Sequence, residues 1–309
     1  MQKLADKELL QDISIELGIN PAFLEKDFYA VLVLEELSNL SNENLNLIFT
    51  GGTCLSKGYG LIKRFSEDID FRIITNFELN RSKRKEIRES IIEKVKQIEN
   101  LEILEETIKS QNESSFFSFD VQYPKEFEAS FSLRPHLKLE FSFEKALLPF
   151  KKLPIRTITD ECLNNEYKFE INCLSPIEIG ANKLSALVWR INTRDRAVKL
   201  GHTKNDPTII RHLHDLSALE LQILKPEFIE IALKSFETDK GRGGADKTHS
   251  IQDFTNLALS NLTNQKEYIK EYESFVNSLS YASETEIIDY NKALQTFKNI
   301  AKFIQNYQE

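Results

Sequence analysis

The stretch IFTGGTCLSKGYGLIKRFSEDIDFRI, Ile48 to Ile73, decides how this chain is read. It begins inside LNLIFT, Leu45 to Thr50, an apolar run rich enough in branched and aromatic residues for a buried strand. Gly51 and Gly52 follow, then TCLSKGYGLI, which reads as a helix start, then Asp68-Ile69-Asp70. A second strand is expected over IDFRII, Ile69 to Ile74, with Ile69, Phe71 and Ile73 on one face and Asp70 on the other. Residues i and i+2 of a strand share a side, about 7 Å apart, so Asp68 and Asp70 project together.

Two glycines directly after a buried strand let the backbone turn sharply. They also let a phosphate approach backbone N–H groups with no Cβ in the way. Thr53 and Ser56 add hydroxyl donors, and the first N–H groups of a helix favour an anion. Paired carboxylates on one side of a strand suit hard divalent cations such as Mg²⁺ (or Mn²⁺), which keep phosphate oxygens as further ligands. The order therefore sets a phosphate cradle opposite a metal pair. A haloacid-dehalogenase phosphatase places its D-x-D straight after an apolar strand, followed by Thr or Val. Here Arg64-Phe65-Ser66-Glu67 precedes the pair and Phe71-Arg72 follows it. A Walker P-loop needs G-x-x-x-x-G-K-[ST], and Gly52 to Lys57 supplies neither that spacing nor the second glycine.

The chain has 309 residues, enough for one large domain or two ordinary ones, each with a real core. Its net charge of −8 argues against a bulk nucleic-acid coat but leaves room for a local basic cleft. Cys54, Cys162 and Cys173 are odd in number and lack C-x-x-C spacing, against a disulfide framework or a zinc site. The start MQKLADKELLQDIS has no signal-peptide core, and no apolar run approaches the roughly 20 residues of a membrane span. A cytoplasmic, reduced protein without a membrane segment is expected.

Helical spacing covers 5–17, with Gly18 as its stop. Asn20-Pro21 then starts a helix through FLEKDFYAVLVLEELSNL. A charged amphipathic helix is expected over 82–99, strands over FFSFDVQY (116–123) and HLKLEFSF (136–143), and EYKFEINCL offers a last strand. From Pro176 onward the periodicity is helical. The expected architecture is α/β (α+β): residues 1–174 with a small mixed sheet and flanking helices, and residues 175–309 mainly helical.

GGTCLSKGYGLIKRFSEDIDF resembles the AbiEii/AbiGii toxin family of nucleotidyltransferases, in the superfamily of DNA polymerase β and the antibiotic nucleotidyltransferases. The Gly-Gly-Thr turn, Leu-Ser-Lys, an aromatic residue and Arg-Phe-Ser-Glu-Asp-Ile-Asp stand unbroken. FLEKDFYAVLVLEEL resembles the family's Glu-Lys-Asp-aromatic helix, and ANKLSALVWR with RHLHDL resembles its second motif, although members carry Arg-Asp where this chain has Arg211-His212. The resemblance spans roughly residues 20–220 and implies a nucleotidyltransferase-type catalytic domain with Lys183 and Asp215 contributed from the helical part. An NTP is expected between the two. Gly51, Gly52, Thr53, Ser56 and Lys57 hold its phosphates and Asp68 and Asp70 hold the metal. The resemblance also implies a toxin with a separate cognate antitoxin, and it suggests an RNA acceptor, a tRNA 3′ end.

Nucleotidyl transfer often uses a third carboxylate on a neighbouring strand. HLKLEFSF offers Glu140, with Lys138 on the same face, as third ligand or base; Glu144 is the alternative. Lys183 and Arg190 lie seven residues apart on one helix face. Between 181 and 215 seven basic residues (Lys183, Arg190, Arg194, Arg196, Lys199, Lys204, Arg211) face three acidic ones (Asp195, Asp206, Asp215), a local surplus that suits a triphosphate or an RNA backbone. Lys183 and Arg190 are assigned to the nucleotide phosphates. Asp215 either pairs with Lys183 or serves as general base. Lys26-Asp27 is expected as an ion pair, His212 and His214 as surface or locally hydrogen-bonded groups, Trp189 as core, and DKGRGGADKTH (239–249) as an interhelical loop. The competing reading is an NTP- or RNA-binding regulator without catalysis, which the intact aspartate pair argues against.

Overall fold

The computed structural model describes residues 4–128, 133–167, 169–240 and 248–307. The chain forms two compact units, one of residues 1–60 with 65–174, the other of residues 61–64 with 175–309.

In the first unit, Asp6 caps α1 (Lys7–Leu17), which ends on the left-handed Gly18. Asn20 accepts from the Ala22 N–H and Pro21 occupies the first turn of α2 (Pro21–Ser38). There follow β1 (Leu45–Thr50), α3 (Gly51–Lys57), β2 (Asp68–Thr75), α4 (Arg81–Lys96), β3 (Glu102–Gln111), β4 (Phe116–Gln122), β5 (Leu137–Ser142), β6 (Lys151–Ile155), α5 (Ile158–Cys162) and β7 (Phe169–Cys173). The strands form one sheet in the order β3-β4-β5-β2-β1-β7-β6. The β2–β5 and β1–β7 pairs are parallel and the others antiparallel, so the sheet is mixed. On its apolar face Phe71 stacks on Phe141 at 5.5 Å, and Phe117 stacks on the same ring at 4.7 Å. Helix α2 is buried on nearly every side and packs against β7, α4 and α5.

Two strands, β3 and β6, were not expected from the sequence. Both are outermost in the sheet. An edge strand has one paired side and much exposed backbone, so charges and even a proline are tolerated there. EILEETIKSQ and KKLPI accordingly lack the apolar alternation that marks the inner strands. Helix α3 also begins earlier than expected, at Gly51 itself, so the glycines form its first turn.

The second unit is helical: α6 (Pro176–Asn192), a 3₁₀ turn at Pro207–Ile210, α7 (Arg211–Ala218), α8 (Glu220–Ile223), α9 (Pro226–Asp239), α10 (Ile251–Asn264), α11 (Glu267–Phe275) and α12 (Tyr290–Asn306). Helix α6 meets α8 and α9 at Gly180, where an added Cβ would stand 3.0 Å from Ile223 Cγ2 and 3.6 Å from Phe228 Cε2. Trp189 is core, stacked on Phe236 at 4.9 Å. Residues 61–64 join this unit through the Lys63 carbonyl, which accepts from Tyr281 N–H at 3.0 Å, and through an isolated bridge between Arg64 and Ser280. Of the expected loop at 239–249, residues 241–247 lie outside the described residues.

Candidate active site

The end of β1 and the start of β2 lie side by side, with Thr50 opposite Asp70. Gly51 then takes a left-handed φ of 76°, and the Asp70 carboxyl lies against it: a Cβ on residue 51 would stand 2.8 Å from Asp70 Cγ. No side chain fits there, and a left-handed φ disfavours one in any case. Thr53 Oγ1, in the first turn of α3, donates to the Asp68 carbonyl at 2.5 Å. The glycine turn and the aspartate pair are thus one structural unit.

The parallel register between β2 and β5 sets Asp68 beside Lys138 and Asp70 beside Glu140. Ile69, Phe71, Leu139 and Phe141 are buried while these four charged residues are half-buried, so the charges share the face opposite the aromatic core. The antiparallel β4 adds Ser118 beside Glu140 and Asp120 beside Lys138. Two carboxylates of this face are held by cations: Asp68 by Arg134 at 2.6 Å, and Glu140 by Lys138. Among the described residues no three His, Cys, Asp or Glu side chains are arranged to hold a metal ion. The donor types nevertheless suit one, because Asp68, Asp70 and Glu140 offer only hard oxygen ligands from a single sheet face. Glu144, the alternative to Glu140, lies past the end of β5 and reaches Arg72 at 3.6 Å from a half-exposed position.

Arg134, which the sequence reading passed over, is fixed at its backbone. Its N–H donates to Glu67 Oε1 at 2.6 Å, and its carbonyl accepts from Lys26 Nζ at 3.0 Å. Lys26 also pairs with Glu67 at 3.5 Å. Burial pulls the Lys26 ammonium down to about 8, with Glu67 pulling the other way. The expected Lys26–Asp27 pair does not form. Successive helix residues point about 100° apart, and Asp27 pairs with Lys57 and accepts from the Ile158 N–H at 2.7 Å. Burial raises the Asp27 carboxyl, against the opposing charge of Lys57. Ser56 Oγ donates to the Thr53 carbonyl at 3.1 Å.

The second unit carries its own charge cluster. Asp215 on α7 is fully buried and accepts both Nε and Nη2 of Arg64, at 2.8 and 2.6 Å. Lys183 on α6 reaches the same carboxylate at 2.8 Å, and His214 Nδ1 lies 3.1 Å from it. Burial alone would raise the Asp215 carboxyl, but Arg64 and Lys183 outweigh it and hold the group well below the usual carboxylate range. Burial and the neighbouring Lys183 push the His212 imidazole well below its ordinary value, so it is neutral. Arg64 stood in the quoted motif but was assigned no role there. Its partner lies 151 residues away. Arg190 turns instead to Asp206 at 3.1 Å, and Arg194 and Arg196 both pair with Glu271, so much of the local basic surplus is neutralised within the unit.

Residues 32–301 match the family described as nucleotidyl transferase AbiEii toxin, type IV TA system. No curated protein matches the chain. Among solved structures, MenT4, a nucleotidyltransferase toxin from Mycobacterium tuberculosis H37Rv, aligns over 98% of this chain and 91% of its own, with a TM-score of 0.59 at 15% identity, which speaks to the fold alone. A STING-associated CdnE c-di-GMP synthase from Capnocytophaga granulosa covers 99% of this chain and 90% of its own at 13% identity, with a TM-score of 0.27, too low to carry an argument. No described helix is long and apolar enough to cross a membrane. With the family match running over most of its length, the chain belongs to the AbiEii family of type IV toxin–antitoxin nucleotidyltransferase toxins.

Proposed function

We propose that this nucleotidyltransferase moves a nucleoside monophosphate from an NTP to a hydroxyl of an RNA acceptor, a tRNA 3′ end, with help from a divalent cation. The observation that supports this most is the packing of Asp70 on Gly51, with Asp68 and Glu140 on the same face of the sheet. Asp68 and Asp70 would hold Mg²⁺ or Mn²⁺, which when bound polarises the α-phosphate and steadies the departing pyrophosphate. Exchange of Arg134 and Lys138 for that ion would free both guanidinium and ammonium for phosphate oxygens.

Gly51 and Gly52 present backbone N–H groups to the phosphates, and Thr53 and Ser56 flank them from α3. Lys57 adds positive charge beside them, with Asp27 as its partner. The attacking hydroxyl forms a new O–P bond as the bond to pyrophosphate breaks, and its proton passes to a base. Glu140 is the better candidate for that base. Asp215, stabilised as an anion by two cations, has little tendency to take a proton. Its role is to fix Lys183, which reaches its carboxylate at 2.8 Å. The toxin family implies a separate antitoxin as the chain's partner.

The test is transfer of label from each of the four NTPs to total RNA with Mg²⁺ present, wild type against Asp70→Ala. Label is expected on tRNA with wild type and to be lost with the variant. Nucleotide binding without any transfer would support a non-catalytic binder instead.

A further inference from the structure

One strongly charged region has no part in the chemistry above. Residues 81–88, RSKRKEIR, carry Arg81, Lys83, Arg84, Lys85 and Arg88 against Glu86 alone, a net +4 within a chain of −8. Spacings of four and three residues put Arg81, Lys85 and Arg88 on one face of α4. That face and the β3–β4 turn line a cavity of about 420 Å³. The turn is built to hold its shape. Asn112, Glu113 and Ser114 have φ of 48°, 54° and 65°, Ser115 N–H donates to the Asn112 carbonyl at 3.0 Å, and Arg84 Nη1 donates to the Glu113 carbonyl at 3.4 Å. Lys85 reaches Glu89 at 3.6 Å, an exposed pair. Arg81 and Arg88 make no ion pair or hydrogen bond among the described residues.

We propose that this cavity binds phosphate groups of the RNA acceptor's backbone, an inference that rests on the acceptor being RNA. Two unpaired guanidinium forks with a lysine between them match phosphate oxygens, and the sole acidic lining group is Glu113. Every lining side chain is polar or charged. A protein partner would want an aromatic or aliphatic anchor, and none is present; a hydrated phosphodiester needs none. The place also fits. Strand β4 runs from this turn to Ser118, which sits beside Glu140. At ~3.3 Å per residue the cavity edge is roughly 10–20 Å along the strand from the carboxylate face, the span of a few nucleotides.

The experiment measures binding of a fluorescent tRNA mixture, without NTP, from about 50 to about 200 mM salt, for wild type and Arg81→Gln/Arg88→Gln. The variant is expected to bind about tenfold more weakly at the lowest salt, with the slope of log K against log salt smaller by ~1.5, the loss of two phosphate contacts. In transfer assays its KM for RNA rises while kcat and the KM for NTP stay put. Unchanged affinity and slope overturn the proposal. So does displacement of the tRNA by polyglutamate as readily as by unlabelled RNA, which would assign the cavity to an acidic protein. Binding is read without catalysis, so a failure of Asp70→Ala to abolish transfer would count against the proposed reaction and leave this result standing.

Discussion

Asp70 and Gly51 are in contact across the first two strands, with the carboxyl of one filling the space where a side chain of the other would be. The glycine is therefore required twice, by its φ of 76° and by its neighbour. Gly51→Ala would push Asp70 aside or force the turn open. We expect the variant to remain folded, with a loss of about 1–3 kcal/mol from backbone strain, and to lose transfer by about 100-fold or more, the usual consequence of misplacing a reacting group by an ångström. A denaturant melt beside the labelled-NTP assay checks both; an alanine variant with full activity would show that the contact does not set the position of Asp70.

Asp215 pairs with two buried cations, Arg64 and Lys183. Asp215→Asn keeps the shape and removes the charge, leaving Arg64 and Lys183 facing each other, and should cost about 3–5 kcal/mol. The pH dependence follows from the sign of the shift. The folded carboxyl lies below its unfolded value, so its stabilisation is present in full above the ordinary carboxylate range and is lost as pH falls through and below that range. Wild type should approach the asparagine variant in stability only at strongly acid pH. Urea titrations of both proteins at neutral and acid pH give the comparison.

Much of the fold was readable because local rules and burial agree in it. The inner strands alternate, Asn20-Pro21 caps a helix, and Gly18 ends one. The edge strands β3 and β6 were not readable because pairing on one side leaves little burial to shape their sequences. In the candidate site, the relation of Gly51 to Asp70 could be anticipated from sequence order, since a turn and a short helix return the chain to the same strand end. Arg134 could not. Its link to Asp68 spans 66 residues and depends on Glu67 holding its backbone, a tertiary arrangement with no local signature. Lys57 and Lys26 illustrate the same limit: each was visible as a cation, but Asp27 and Glu67 became their partners only when α2 packed.

Lys26 gives a second pH test, with the same sign but on the alkaline side. Its ammonium is lowered to about 8 while an unfolded lysine titrates near 10.5. Between those values the unfolded chain binds more protons, so stability rises with pH by up to about 1.4 kcal/mol per pH unit. Lys26→Met removes that contribution and leaves Glu67 without its cation. The difference in stability between wild type and variant should widen from pH 8 to 10, and a constant difference would mean that Lys26 is not titrating there.

Arg134 pairs with Asp68, one of the carboxylates proposed to hold a divalent ion, at 2.6 Å and from a backbone held on both sides. A guanidinium and a metal ion would compete for that carboxylate, so under the proposed function the arginine would raise the ion concentration needed to load the site. It also keeps Asp68 compensated when no ion is bound. Arg134→Gln removes the competitor and keeps the backbone contacts to Glu67 and Lys26. The half-saturating Mg²⁺ concentration for transfer should then fall severalfold, while the KM for NTP rises, because the displaced guanidinium no longer reaches phosphate. A Mg²⁺ titration at saturating NTP separates the two effects. If the requirement for Mg²⁺ rises instead, Arg134 is needed to orient Asp68, and the competition account is wrong.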